Sequence, residues 1–225
     1  MNSLRALAVM GTVALVSVGA CADNLVMNPG FEVDGDIVSI WNPATGHISN
    51  WSDFVANLTG GWVGTSTGAG RSGYGLTQNT GVTSSADSVA VIWQTIEITS
   101  GWIVDVSAWA RASRAQGDSV IAVWNTASVV TLTAANYETY DYASGDVADQ
   151  GLDTWHQLTI PSFTSNGYVT IASITDGYGY NDTYEVNLGP NTSFDDWSVT
   201  AVVPEPATMV VVAMGSVALL RRSRR

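Results

Sequence analysis

Alternate residues of one segment near the middle of the chain fall into two chemically distinct sets. Val104, Val106, Ala108 and Ala110 are apolar, whereas Ile103, Asp105, Ser107, Trp109 and Arg111 are mixed. Alternate side chains of an extended strand point to opposite faces, so the second set shares one surface. An indole beside a carboxylate, a hydroxyl and a guanidinium has what a sugar-binding face needs. The ring offers a platform for the C–H face of a pyranose, and the polar groups supply directional hydrogen bonds. The plainer reading is a solvated outer face with Trp109 packed under a loop. Two further aromatic candidates sit in loops. Tyr178, Tyr180 and Tyr184 punctuate the turn-rich stretch after Asp176, and Trp41 lies in a long insertion between Asp34 and Asn50. Trp51 and Trp197 are expected in the core, since tryptophan is heavily buried on average.

Catalytic chemistry has less to stand on. The two histidines are His47, in a loop, and His156, beside Trp155 at a strand start. No metalloprotease, nucleophile-elbow, phosphate-loop or paired-cysteine pattern occurs. With 20 acidic residues in the chain, choosing any two as a glycosidase pair carries no information. Asp195 and Asp196 are neighbours on a strand and are expected to point to opposite faces. No catalytic residue is expected, and the chain reads as a non-enzyme.

These residues sit in short β-rich runs separated by Gly, Asn, Asp and Ser. Strands are expected over 88–98, 102–111, 119–125, 155–161, 168–174 and 193–201, with shorter ones at 24–28, 62–65 and 74–78. The tight connection Thr99-Ser100-Gly101 predicts a hairpin between the first two. The acidic stretch 134–153 reads as a long loop. About nine strands at this spacing predict an all-β, two-sheet antiparallel sandwich in one domain, residues 23–202, with no internal repeat.

The ends read as addresses. Arg5, an apolar run from Ala6 to Val18 and Ala20-Cys21-Ala22 form a signal peptide over residues 1–22. Read instead as a lipobox, Val18-Gly19-Ala20-Cys21 would leave Cys21 acylated. Beyond residue 22 only Arg71, Arg111 and Arg114 are basic before the tail, against all 20 acidic residues, a charge near −17. Such a surface repels phosphate backbones and excludes nucleic acid as a partner. It also favours divalent cations.

The tail, residues 203–225, runs Val203-Pro204-Glu205-Pro206, an apolar stretch from Ala207 to Leu220, then Arg221, Arg222, Ser223, Arg224 and Arg225. Its 14 apolar residues fall short of the ~20 that cross a bilayer as a helix, and the arginines would hold that end in the cytoplasm. This tail resembles the PEP-CTERM sorting signal of Gram-negative bacteria. The resemblance implies export through signal peptidase, transient anchoring in the inner membrane by a short helix, removal by an exosortase, and delivery to the cell surface or extracellular matrix.

A second resemblance spans about residues 24–201. Asn24-Leu25-Val26-Met27-Asn28-Pro29-Gly30-Phe31-Glu32 opens it, Ser49-Asn50-Trp51 and Trp93-Gln94-Thr95-Ile96-Glu97-Ile98 follow, and Phe194-Asp195-Asp196-Trp197-Ser198-Val199 closes it. The order is similar to galactose-binding-like jelly rolls used as carbohydrate-binding modules. It implies a structural calcium site from the Gly30 carbonyl, Glu32 and Asp195, and non-catalytic binding of extracellular polysaccharide. The alternative is a structural surface or biofilm-matrix protein that acts through protein–protein contacts.

Overall fold

The computed structural model describes residues 23–33, 48–56, 62–81, 88–181 and 186–204. Within them the chain forms β1 (Ser52–Ala56), β2 (Trp62–Ser66), β3 (Gly75–Asn79), β4 (Val89–Glu97), β5 (Ile103–Ala112) and β6 (Asp118–Thr126). β7 (Tyr142–Ala143), β8 (His156–Thr164), β9 (Tyr168–Asp176), β10 (Gly179–Asn181), β11 (Val186–Leu188) and β12 (Asn191–Val202) complete them. Two five-stranded sheets result, in the orders β1-β4-β9-β6-β7 and β2-β3-β12-β5-β8, with β10-β11 as a separate ribbon. Every pairing is antiparallel. The all-β, two-sheet antiparallel sandwich expected from the sequence is the observed fold.

The core between the sheets is built by alternation. Val104, Val106, Ala108 and Ala110 of β5 and Phe194 and Val199 of β12 meet Ile92 of β4, Ile121 and Val123 of β6, and Ile171 of β9. Each large apolar side chain so buried stabilises the fold by roughly 1.5–3 kcal/mol before entropy is counted. At one end Phe31, Trp51 and Trp197 stack in series, with ring centroids 5.3 and 5.4 Å apart. Both tryptophans assigned to the core are there, Trp51 at 5% and Trp197 at 1% exposure.

The expected hairpin over Thr99-Ser100-Gly101 does not form. β4 pairs with β1 and β9, while β5 pairs with β12 and β8, so the connection carries the chain from one sheet to the other. Both strands are apolar on their inner faces and can bury them only from opposite sides of the sandwich. The corner is tight because Gly101 takes φ +91° and donates its N–H to the Ser165 carbonyl, a conformation glycine adopts at no steric cost.

Two further expectations need correction. Residues 24–28 form no strand. Instead Asn24 brackets β12, its Nδ2 donating to the Trp197 carbonyl at 2.8 Å and its Oδ1 accepting from Val199 N–H at 3.0 Å. The side chain does the work of a ladder, beside a bulge that interrupts β12 between Asp195 and Ser198. The stretch 134–153 is not wholly loop. It contributes β7 at the edge of β6 and a 3-10 turn at Ala148–Gln150. Just before it, Leu132 and Val130, with Tyr137, cover the outer face of the first sheet. There they form a second apolar cluster with Val91, Trp93, Trp124 and Ile174. β4 and β9 are buried on both faces for this reason.

Among the described residues no helix is long and apolar enough to cross a membrane. The signal peptide, Cys21, Trp41, His47, Tyr184, and the tail from Glu205 onward, with Pro206, Arg221, Arg222, Arg224 and Arg225, lie outside the described residues.

Candidate functional site

β5 buries its residues alternately, leaving Asp105, Ser107, Trp109 and Arg111 on the outward face. Neighbouring strands extend that face as cross-strand rows. Ser193 of β12 stands opposite both Arg111 and Thr77 of β3, and the Thr77 and Ser193 hydroxyls lie 3.1 Å apart. Arg111, Ser113, Asp153, Asn191, Ser193 and Thr77 line a groove of about 420 Å³, rimmed by Ser66, Gly68 and Ala69. Its lining is hydroxyls, an amide, a carboxylate and a guanidinium, a set able to donate to and accept from sugar hydroxyls.

Two arginine–tryptophan pairs lie at this sheet, one of them including the groove residue Arg111. The Arg111 guanidinium carbon lies 5.2 Å from the centroid of Trp155, and that of Arg71 lies 3.9 Å from the centroid of Trp109. Both are within cation–π range. One face of the Trp109 indole is therefore taken by Arg71, whose Nη1 also holds the Asp196 carboxylate at 2.8 Å.

Asp105 is not in the groove. It stands six residues from Arg111, ~20 Å along an extended strand, beside a bulge between Val104 and Val106, and accepts the Ser162 hydroxyl. Tyr178 is 37% exposed in the turn before β10 and does not line the groove. Tyr180 belongs to β10, with its side chain outside the description. Pro204 is exposed at the end of the described chain. His156 has a structural partner, its Nε2 lying 3.3 Å from the Gly151 carbonyl.

The opening and closing motifs converge. A Cβ placed on Gly30 would sit 3.4 Å from Asp195 Oδ1, 3.6 Å from Glu32 Cγ and 3.9 Å from Asp196 Oδ1. Asp195 is fully buried and Asp196 exposed. Yet the bulge, with Asp196 at φ +47°, brings an oxygen of each toward Gly30, against the strict alternation expected. The Asp195 carboxylate accepts backbone N–H groups from Arg71 (2.7 Å) and Asp196 (2.8 Å). Burial outweighs those bonds and pushes its carboxyl up to about 6. Glu32 accepts from Tyr74 N–H at 3.0 Å. These are hard oxygen donors of the kind calcium takes, and among the described residues Asp195 is a buried carboxylate held by no cationic side chain. Among the described residues, no group of three His, Cys, Asp or Glu side chains is gathered as a metal cage, so backbone oxygens would have to complete any such site.

Sequence reading missed Arg71 and Trp155. Arg71 is distant in sequence from β5, and only its rarity as a cation in an acidic chain could have drawn attention. It also missed a pocket of about 550 Å³ on the other sheet, lined by Tyr137, Tyr140, Asp118 and Asp176 among others. There Tyr137 donates to Asp176 at 2.8 Å, and burial raises the Asp176 carboxyl above its ordinary range.

Residues 202–225 match the PEP-CTERM protein-sorting motif. The whole sequence matches no curated protein. Among solved structures, the chain is similar to the TmCBM61 module solved in complex with beta-1,4-galactotriose, at 15% identity and a TM-score of 0.45, covering 79% of this chain and 98% of that one. A CBM4 module is similar at 16% identity and a TM-score of 0.45, covering 79% and 99%. The K1 cleaved adhesin domain of Lys-gingipain from Porphyromonas gingivalis W83 is similar at 11% identity and a TM-score of 0.45, covering 78% and 96%.

Proposed function

We propose that this is an exported cell-surface or matrix protein that holds extracellular polysaccharide without chemically altering it, on the outer face of the β2-β3-β12-β5-β8 sheet. The observation that carries the reading is the polar groove lined by Arg111, set on paired strands, with that arginine lying over Trp155. Rigid strands fix such a surface better than loops do. The ligand's hydroxyls meet Asn191, Ser193, Thr77 and Asp153. Arg111 supplies the directional fork, and Trp109 acts through the arginine stacked on it. The sorting motif supports export, passing attachment to the inner membrane by the tail, and cleavage there by an exosortase.

Calcium is the proposed structural ion, held by the Gly30 carbonyl, Glu32 and Asp195. It would neutralise the buried Asp195 charge and tie the first described segment to the last strand. The alternative, a matrix protein working by protein contacts, is favoured by one feature. Met27 and Val129, 59% and 63% exposed, border an apolar cleft of about 530 Å³ against Trp93 and Ile96.

Co-sedimentation of the full chain, in mild detergent, with a polysaccharide panel that includes the producing cells' own matrix separates the two. Saturable retention by one polymer supports the glycan reading. Folded protein left in the supernatant with every polymer sinks it.

A further inference from the structure

Residues 23–204 carry three basic side chains, Arg71, Arg111 and Arg114, and no lysine, against nineteen acidic residues. All three serve one sheet. Arg71 lies over Trp109 of β5 and is bound to Asp196 of β12. Arg114, just past β5, donates to Asn79 Oδ1 of β3 at 3.3 Å and to the Gly189 carbonyl at 3.5 Å. Arg111 stands over Trp155 and lines the groove. The rest of the described chain carries no lysine or arginine. The sandwich therefore keeps its few cations against the strands of one sheet and leaves the remainder acidic.

The three are not equivalent. Arg71 is occupied by a carboxylate and Arg114 by an amide and a carbonyl. Arg111, among the described residues, makes no ion pair. An arginine stacked on an indole is pre-oriented, and its in-plane N–H groups stay free to meet a carboxylate in a two-pronged contact. Around it stand Asn191, Ser193 and Ser113, neutral groups suited to hydroxyls.

We propose that the groove beside Arg111 takes the carboxylate of an acidic sugar, a uronate presented singly along a polysaccharide, with the flanking hydroxyls met by Asn191, Ser193 and Asp153. This rests on the glycan-binding reading and names its ligand class. Single presentation follows from the charge balance. A dense polyanion meets the domain's acidic surface everywhere else, whereas screening over about 8 Å at physiological salt lets one carboxylate respond chiefly to Arg111. Asp153 is the one carboxylate lining the groove among the described residues. It is exposed, so solvent screens its charge, and it serves as a hydroxyl acceptor.

Saturation-transfer NMR on the full chain in mild detergent tests this with four probes, the methyl glycosides of glucuronate and galacturonate and of their neutral parents, glucose and galactose. At least one uronide should bind about tenfold tighter than its neutral parent, as a charge-assisted contact should give. Arg111→Gln should erase that advantage, and the exposed Asp153→Asn should enlarge it. If Arg111→Gln fails to fold, Asp153→Asn alone decides by the direction of its effect. Equal binding of charged and neutral sugars overturns the acidic-sugar assignment and leaves the glycan reading standing. Absence of binding by all four overturns both.

Discussion

Arg71 covers Trp109, its guanidinium carbon 3.9 Å from the ring centroid, and its backbone N–H holds the buried Asp195 that stands opposite Trp109 across the β5–β12 ladder. One residue thus ties the outward face of the sheet to the junction where the opening and closing motifs meet. The indole expected as an open sugar platform serves instead as a seat for a cation.

That junction depends on a glycine. Gly73 has φ +71°, and a Cβ there would fall inside van der Waals contact of the Glu32 carboxylate. Gly73→Ala should cost roughly 1–3 kcal/mol through left-handed strain and displace Glu32 from Tyr74 N–H. Urea unfolding measures the cost. An unchanged midpoint would mean that the Glu32 contact is not made.

Asp195 should give the fold a pH dependence that calcium binding at the proposed site would remove. Its folded carboxyl sits at about 6, above the ordinary ~3.9 of an unfolded aspartate. The folded state therefore keeps a proton that the unfolded chain has released. Without a cation, this contribution is full below about pH 4 and is lost as pH rises through 6, by at most about 3 kcal/mol. Burial shifts Asp146 and Asp176 in the same direction. Under chelation, unfolding free energy should fall from pH 4 to pH 6, less steeply in Asp195→Asn. With calcium bound, the ion takes the proton's place, so the Asp195 share of that fall should vanish and the melting temperature at pH 7 should exceed that of the chelated protein. Identical pH profiles with and without calcium would remove the ion from the account.

Leu132 is 2% exposed against Trp124 and Trp93 on the outer face of the first sheet. Leu132→Ala should destabilise by about 2–5 kcal/mol, as truncations in a packed core do. A loss below half a kcal/mol by thermal melting would show that the segment merely drapes over the sheet.

Thr175 presents the opposite case. Its hydroxyl is buried, with no hydrogen-bond partner among the described residues, and such a group costs free energy that an apolar isostere avoids. Thr175→Val should raise stability by about 1 kcal/mol. A lower melting temperature would mean that the hydroxyl has a solvent partner inside the sandwich.

Much of the sandwich was legible because β-rich runs and strand alternation are local properties. β5 sorted its residues correctly from sequence alone, and Trp51 and Trp197 fell in the core as their size suggested. The pairing of β4 was not legible. Thr99-Ser100-Gly101 suits a hairpin and a corner equally, and only the need to bury two inner faces decides between them. Leu132 ends the short run Val129-Val130-Thr131-Leu132, which is too brief to carry a period and does not announce which surface it covers. For the candidate site, alternation put Asp105, Trp109 and Arg111 on one face, as observed, but of the three only Arg111 lines the groove. Arg71 and Trp155 reach the face from remote segments, which no local pattern reveals.

The most direct test of the central claim compares wild type, Arg111→Ala and Trp155→Ala for saturable binding to the polysaccharide the full chain retains. Both variants should melt within a few degrees of wild type while losing most of their binding, because they remove the fork and its seat without touching the core. Undiminished binding by both folded variants would contradict the account and move the ligand to another face of the sandwich.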